Sequence, residues 1–272
     1  MANSLFAVVY PTACSLCHKE LIEATRTDIC RECWAELQPW GGAACAHCGL
    51  PFASERALDC NVALCPECRA GQFEFDGARS YALYGGKLRS AILQLKFRRR
   101  ERLGKRLGEL LAFTWEALGL LAEDPAPAIV PVPLHQSRKR ERGFNQAELL
   151  ARGLSRKIGK ICGTSGPRVE THWVHRVRPT LPQTGLSIPQ RKENVHGVFA
   201  VTRPERLLGR VVVLVDDVMT TGATLSACAS SLKKAGALRV IGLTLARATP
   251  QFPDRSSDEA GRAIDDFGHP WT

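Results

Sequence analysis

Residues 211–224 of this 272-residue chain, VVVLVDDVMTTGAT, constrain the fold more than any other stretch. Five apolar residues, four of them valine, run into Asp216 and Asp217, and Thr220, Thr221, Gly222, Ala223 and Thr224 follow closely. A continuous β-branched run marks a strand buried on both faces, as in a parallel sheet, because neither face tolerates polar alternation. Leu225, Cys228, Leu232 and Ala235 recur at helical spacing and Gly236 supplies a stop, which predicts a helix over Leu225–Ala235. The unit reads as strand, tight turn, helix, so the expected class is α/β with a mostly parallel sheet flanked by helices. In open α/β sheets ligands bind outside the carboxyl ends of the strands, where the acids and the turn fall. The threonine hydroxyls, the close approach that Gly222 allows and the amides of a helix start suit a phosphate. Adjacent carboxylates do not face a phosphate unaided. They suit a ribose diol, or a Mg2+ ion held between carboxylate and phosphate.

Two other readings compete. An ordinary strand-to-helix connection with a threonine cap needs neither adjacent acids nor TTG. An ATPase strand of the Walker-B kind also ends in acids but requires a P-loop elsewhere. The nearest candidate, Gly153 to Gly159-Lys160, has five intervening residues instead of four, and Ile161 replaces the Ser/Thr.

Nine of the eleven cysteines lie between Cys14 and Cys68. Eight form the pairs Cys14-x2-Cys17, Cys30-x2-Cys33, Cys45-x2-Cys48 and Cys65-x2-Cys68, with Cys60 left over. Each knuckle turns two thiolates toward one point, so two knuckles complete a tetrahedral four-thiolate Zn2+ site, and two structural zinc sites are expected. The pairing is either sequential or cross-braced, first knuckle with third. Cys60, His18 and His47 are alternative ligands, or bystanders. A disulfide framework is the competing reading, and it conflicts with a start, MANSLFAVVYPTAC, that lacks the basic region of a secretion signal. Few large apolar residues fall between positions 12 and 76, so metal is expected to hold this module together.

The net charge of +10 is uneven: −5 over residues 1–76, +11 over 77–160, +7 over 161–247 and −3 over 248–272. Polyphosphate or nucleic acid is the expected partner of the basic middle. The acidic ribbon module suits docking or structure better than direct DNA contact. No apolar run approaches a membrane-spanning length, and a cytoplasmic location is expected.

From about Phe73 the pattern predicts a strand over Ala78–Tyr84, a helix over Lys87–Phe97, and an apolar stripe from Leu103 to about Leu121. The run FRRRERLGKR, residues 97–106, is either a solvated helix start or an anion site. Ala128–Val132 reads as a short buried strand that Pro131 and Pro133 keep from pairing further. The basic run Arg138, Lys139, Arg140 and Arg142 follows as a loop at that strand's carboxyl edge, an anion site or merely a soluble surface. Gly143 permits a bend, and Asn145 caps a helix to about Ile161. Residues 163–198 are irregular, and Leu238–Ala246 reads as a further strand.

VDDVMTTGAT resembles the phosphoribosyl pyrophosphate (PRPP) signature of the type I phosphoribosyltransferases. IVPVPLH followed by RERGFNQA, and RVRPTLPQTGLSIPQRKENVHGVF with Gln183, Arg191, Asn194, Gly197 and Phe199 at familiar spacing, are similar to ComF-type competence proteins. The resemblance covers about residues 12–247. It implies that Asp216 and Asp217 bind the ribose hydroxyls, that Thr220 to Thr224 wrap the 5′-phosphate, and that Arg138, Lys139, Arg140 and Arg142 meet the pyrophosphate. It also implies Mg2+ with PRPP, and a role in natural transformation with single-stranded DNA and a competence helicase as partners.

The expected organisation is a double zinc ribbon over 12–72, a phosphoribosyltransferase-like domain over 73–247 and a disordered tail over 248–272. Function is expected to be either competence-associated, with a PRPP-binding site, or Mg-dependent phosphoribosyl transfer in nucleotide metabolism or salvage. Transfer of that kind passes through a cation-like ribose and needs positioning and charge stabilisation, not a covalent nucleophile.

Overall fold

The computed structural model describes residues 13–21, 27–52, 63–95, 100–123, 125–180, 190, 194–195 and 197–249. Cys60, residues 97–99, Gln183, Arg191 and the tail from 250 lie outside them. In chain order the elements are helices α1 (Arg31–Ala35) and α2 (Pro66–Arg69), strand β1 (Gly77–Leu83), α3 (Gly86–Gln94), α4 (Glu101–Ala117), β2 (Ala128–Pro131), α5 (Gln136–Arg142), α6 (Gln146–Cys162), β3 (Val174–Arg176), β4 (Phe199–Val201), β5 (Val211–Met219), α7 (Ala223–Lys234) and β6 (Arg239–Arg247).

Four strands form one parallel sheet in the order β1-β6-β5-β2. The valine run builds β5 at its centre, with Val212, Val213, Leu214 and Val215 all buried. The strand does not stop at the acids. It continues to Met219, because β6 is equally long and its ladder pairs Asp216 with Thr244 and Met219 with Arg247. At the sheet's edge β2 ends at Pro131, as its prolines require.

The pleat divides the core into two layers. Val213, Val215, Ile241, Leu243 and Leu245 face α3, α4 and α6. Val212, Leu214 and Val240 face α7 and the antiparallel pair β3-β4. Helix α4 earns its place by repeating Leu103, Leu107, Leu111 and Trp115 at i, i+4 spacing, all buried. It stops short of Leu121, at Ala117, and left-handed Gly119 (φ +68°) turns the chain away. Helices α4 and α6 cross almost backbone to backbone. A Cβ at Gly153 would lie 2.0 Å from the Lys105 carbonyl oxygen, and one at Gly108 would lie 2.1 Å from that of Leu150. Gly153 is thus a packing residue, which accounts for the failed P-loop pattern around it.

The two cysteine modules attach to opposite layers. Cys14, Cys30 and Cys33 join the layer of α4 and α6, whereas Cys45, Cys48 and Cys65 join that of α7. The first is fastened by Arg100, whose Nη1 lies 2.9 Å from Asp28 Oδ2, and by Arg106, whose guanidinium stands 5.8 Å from the Trp34 ring centroid. These two arginines of the 97–106 run therefore bind protein. Between the modules, the Trp40 amide donates to the Tyr81 carbonyl at 2.7 Å and the Tyr81 hydroxyl to the Leu37 carbonyl at 2.6 Å.

Candidate functional site

At the carboxyl ends of the neighbouring strands β5 and β2 lies a cavity of about 220 Å³. Asp216, Asp217 and Thr224 line it from β5 and α7, Arg138 and Arg142 from α5, and Arg176 from β3. Each carboxylate accepts from the following amide: Asp216 Oδ1 from Asp217 N–H at 2.9 Å, and Asp217 Oδ1 from Val218 N–H at 2.7 Å. Burial, then the charge of Asp217, pushes the Asp216 carboxyl well above the usual carboxylate range, and Arg176 opposes that shift. Burial, then Arg138, lowers the Arg142 guanidinium, and Asp217 opposes. Arg176 likewise is lowered by burial first, with Asp216 opposing. Two cations, Arg142 and Arg176, and two carboxylates, Asp216 and Asp217, thus line one cavity together.

The basic run is a helix and not the expected loop. His135 caps α5, its Nδ1 accepting from the Ser137 amide at 3.3 Å, and left-handed Gly143 (φ +83°) ends it. Helical periodicity then sorts the run. Arg138 and Arg142, four apart, are half-buried at the cavity, whereas Lys139 and Arg140 are exposed. Asn145 caps α6 as expected, accepting from the Ala147 amide at 3.1 Å while its Nδ2 donates to the Val132 carbonyl at 3.0 Å.

Thr220, Thr221, Gly222 and Ala223 form the turn beyond Met219 and the start of α7, and Thr224 reaches the cavity. Gly222 takes φ +77° at the N-cap and offers no side-chain cap. Thr221 Oγ1 accepts from the Ala223 amide at 3.4 Å. Arg176 escaped sequence reasoning because three-residue strands carry no readable period. Its Nη2 donates to Thr180 Oγ1 at 2.5 Å, and its guanidinium stands 5.6 Å from the Phe199 ring centroid. Of the other singled-out residues nearby, Phe199 opens β4, while Asn194 and Gly197 lie just before it.

The eight knuckle cysteines gather sequentially, as Cys14, Cys17, Cys30 and Cys33 and as Cys45, Cys48, Cys65 and Cys68, the sulfurs of each set within 4.8 Å of one another. The cross-braced alternative is excluded. The Cys17–Cys30 and Cys48–Cys65 sulfur separations are 3.7 Å and 3.6 Å. These are too long for a disulfide and close to the edge, about 3.8 Å, of a tetrahedron with 2.3 Å Zn–S bonds. Backbone amides support the sulfurs, Cys30 N–H donating to Cys14 Sγ and Cys65 N–H to Cys45 Sγ, each at 3.3 Å. Both sets fit structural zinc. His47 stands beside the second set, its Nδ1 3.3 Å from Cys68 Sγ, and His18 turns the first knuckle with φ +61°.

The double zinc ribbon domain family matches residues 5–69, and the phosphoribosyl transferase domain family matches residues 141–269. The chain is 34% identical over 231 residues to DNA utilization protein YhgH of Escherichia coli K12, covering 84% of this chain and 86% of that protein. It is 32% identical over 232 residues to Competence protein F of Haemophilus influenzae, covering 84% and 93%. The chain belongs to the ComF family. Competence protein ComFC of Bacillus subtilis is a more distant relative, 24% identical over 266 residues. The parallel sheet with its flanking helices and the two four-cysteine clusters are thus the ComF arrangement of a phosphoribosyltransferase-like domain carrying a double zinc ribbon. The phosphoribosyl transferase match runs past Arg247, where the resemblance read from motifs ends.

Proposed function

We propose that this ComF protein binds PRPP, or a closely related phosphorylated ribose, in the cavity at the ends of β5 and β2. The observation that carries the reading is the meeting of Asp216, Asp217 and Thr224 with Arg138 and Arg142 around one space. The carboxylates are hard oxygen donors of the kind Mg2+ takes together with ligand phosphates, and they serve the ribose hydroxyls. The turn from Thr220 to Thr224 takes the 5′-phosphate at the start of α7, and Arg138 and Arg142 take the pyrophosphate. Arg176 joins them as a cation beside Asp216. Lys139 and Arg140, exposed on α5, steer the anion without touching it. We divide the chain into a double ribbon over 12–72, the PRPP-binding domain over 73–247 and a tail over 248–272.

We further propose a role in DNA uptake, which the names DNA utilization protein and Competence protein F support. Within that proposal single-stranded DNA and a competence helicase are the partners and the cytoplasm the location. Among the described residues no helix is long and apolar enough to cross a membrane. The second reading is Mg-dependent phosphoribosyl transfer. It is favoured by the match to phosphoribosyl transferases and by a site that needs no nucleophile. Calorimetry with PRPP and Mg2+ tests binding, and unchanged binding by Asp216→Asn combined with Asp217→Asn overturns it. Pyrophosphate release against a panel of bases separates turnover from binding alone.

A further inference from the structure

The second cysteine cluster reaches the phosphate turn through side chains that no sequence motif joins. Cys68 Sγ lies 3.3 Å from His47 Nδ1. The His47 ring stacks on Phe75, with centroids 5.4 Å apart and planes 19° apart, and Phe75 stacks on Phe73 at 4.9 Å and 16°. His47 also faces Phe73 directly at 6.4 Å. Phe73 ends the row against the backbone of Gly222, where an added Cβ would fall 3.0 Å from Phe73 Cε1 and 2.8 Å from Met219 Cε. A parallel backbone route runs beside it, the Glu74 amide donating to Ser226 Oγ on α7 at 3.0 Å. The far end of the row is anchored as well. The His47 carbonyl accepts from the Ala78 amide at 2.8 Å and from Arg79 Nη1 at 3.2 Å. Three nearly parallel rings between a metal knuckle and a glycine form a stiff spacer, because stacked aromatics have few rotamers in which they still fit.

We propose that His47 and Phe73 are positioning residues through which the metal-loaded second cluster sets the place of the Thr220–Thr224 turn. The glycine at 222 then has two reasons: its left-handed φ and the room its missing side chain leaves for Phe73. The first cluster packs on the opposite layer of the sheet, and among the described residues no ring stack joins it to this turn. The ligand consequence rests on the reading of this turn as a phosphate cradle, but the mechanical coupling does not.

The test uses the full-length, zinc-loaded protein and two readouts. Hydrogen exchange of the peptide covering residues 219–226 reports the turn without any ligand. Phe73→Ala and His47→Ala are expected to speed its exchange about tenfold with two zinc equivalents retained, since local opening is what loosened packing permits. Phe73→Tyr, which keeps the stack, restores the wild-type rate. Cys68→Ser has the same effect as Phe73→Ala, whereas Cys17→Ser in the first cluster leaves the peptide unchanged. Unaltered exchange in both alanine variants, or equal loosening by Cys17→Ser, overturns the coupling. Should Cys68→Ser fail to fold, the alanine and tyrosine variants still decide. In parallel, PRPP with Mg2+ is the binding probe, and Phe73→Ala is expected to weaken it about tenfold through lost preorganisation. Loosened exchange in a protein whose wild type binds no PRPP overturns the ligand reading and upholds the coupling.

Discussion

Arg79 donates from Nη1 to the carbonyl oxygen of His47 at 3.2 Å, tying the first strand of the sheet to a knuckle of the second cysteine cluster. Its Nη2 donates to the Ala46 carbonyl at 2.6 Å. From the end of β6, Arg247, only 5% exposed, brings a second guanidinium whose Nε and Nη1 have no hydrogen-bond partner among the described residues. Burial lowers both guanidiniums, and the cluster's cysteines are the charges that oppose this. A Zn2+ ion with four thiolates carries about two net negative charges, which two arginines offset.

Arg79→Met is therefore expected to release zinc from the second cluster about tenfold faster under chelator competition, because it removes a cation and the charge-assisted hydrogen bonds to the His47 and Ala46 carbonyls. The first cluster keeps its rate. The check is a metal-indicator release curve, which splits into two phases in the variant. A single unchanged phase contradicts the account.

Gly153→Ala sets helix propensity against packing. Alanine gains about 1 kcal/mol over glycine inside a helix. Here the new Cβ meets the Lys105 carbonyl oxygen at 2.0 Å, and backbone on both sides leaves it nowhere to go. The α4–α6 crossing must open, at a cost of roughly 1–3 kcal/mol or more. The expected outcome is net destabilisation, read as a lower urea midpoint. A rise in the midpoint would show that the two helices part easily.

Asp216→Asn is expected to stabilise the ligand-free protein and to abolish binding. The folded Asp216 carboxyl is raised above its unfolded value, so the native state holds the extra proton and stability falls as pH rises between the two values. Asparagine keeps an oxygen for the Asp217 amide and carries no charge. The gain should grow as pH rises and shrink toward lower pH as the wild-type carboxyl takes up its proton. Melting temperatures of both proteins across pH, with zinc content verified at each point, check it. Lower stability of the variant throughout would show that the carboxylate charge is favourable in the fold.

How much of this was legible depends on where the deciding force lies. Strand β5, helix α6 and α7 carry their own period, and their existence follows from residues such as Val212 to Val215 and Leu150 to Ile158. The extension of β5 through Asp216 to Met219 does not, because its partner β6 sets it. Cysteine spacing announces two metal clusters, yet nothing in the spacing places them on opposite layers of the sheet. Arg176 was invisible because β3 and β4 exist only as a mutual pair over three residues each. The α5 helix had a local signal, His135 before a run of good helix formers, that the prolines upstream obscured.

The division of that basic run is the sharpest statement the cavity makes. A flexible loop would let all four cations reach an anion, and neutralising any of them would cost similar affinity. A helix turns Arg138 and Arg142 to one side and Lys139 and Arg140 to the other. Arg142→Gln and Arg138→Gln are expected to weaken PRPP binding about 10- to 100-fold, the range of a lost charge-assisted contact. Lys139→Gln and Arg140→Gln should change it by less than about threefold, and only at low salt, since exposed charges act at a distance that ions screen. Arg176→Gln belongs with the first group, because its guanidinium lines the same cavity as Arg138 and Arg142. Calorimetric titrations of the five variants at two salt concentrations measure this directly. Equal losses at positions 139 and 142 would mean that α5 unwinds when ligand binds, whereas the expected split would place the anion on the Arg138–Arg142 face of an intact helix.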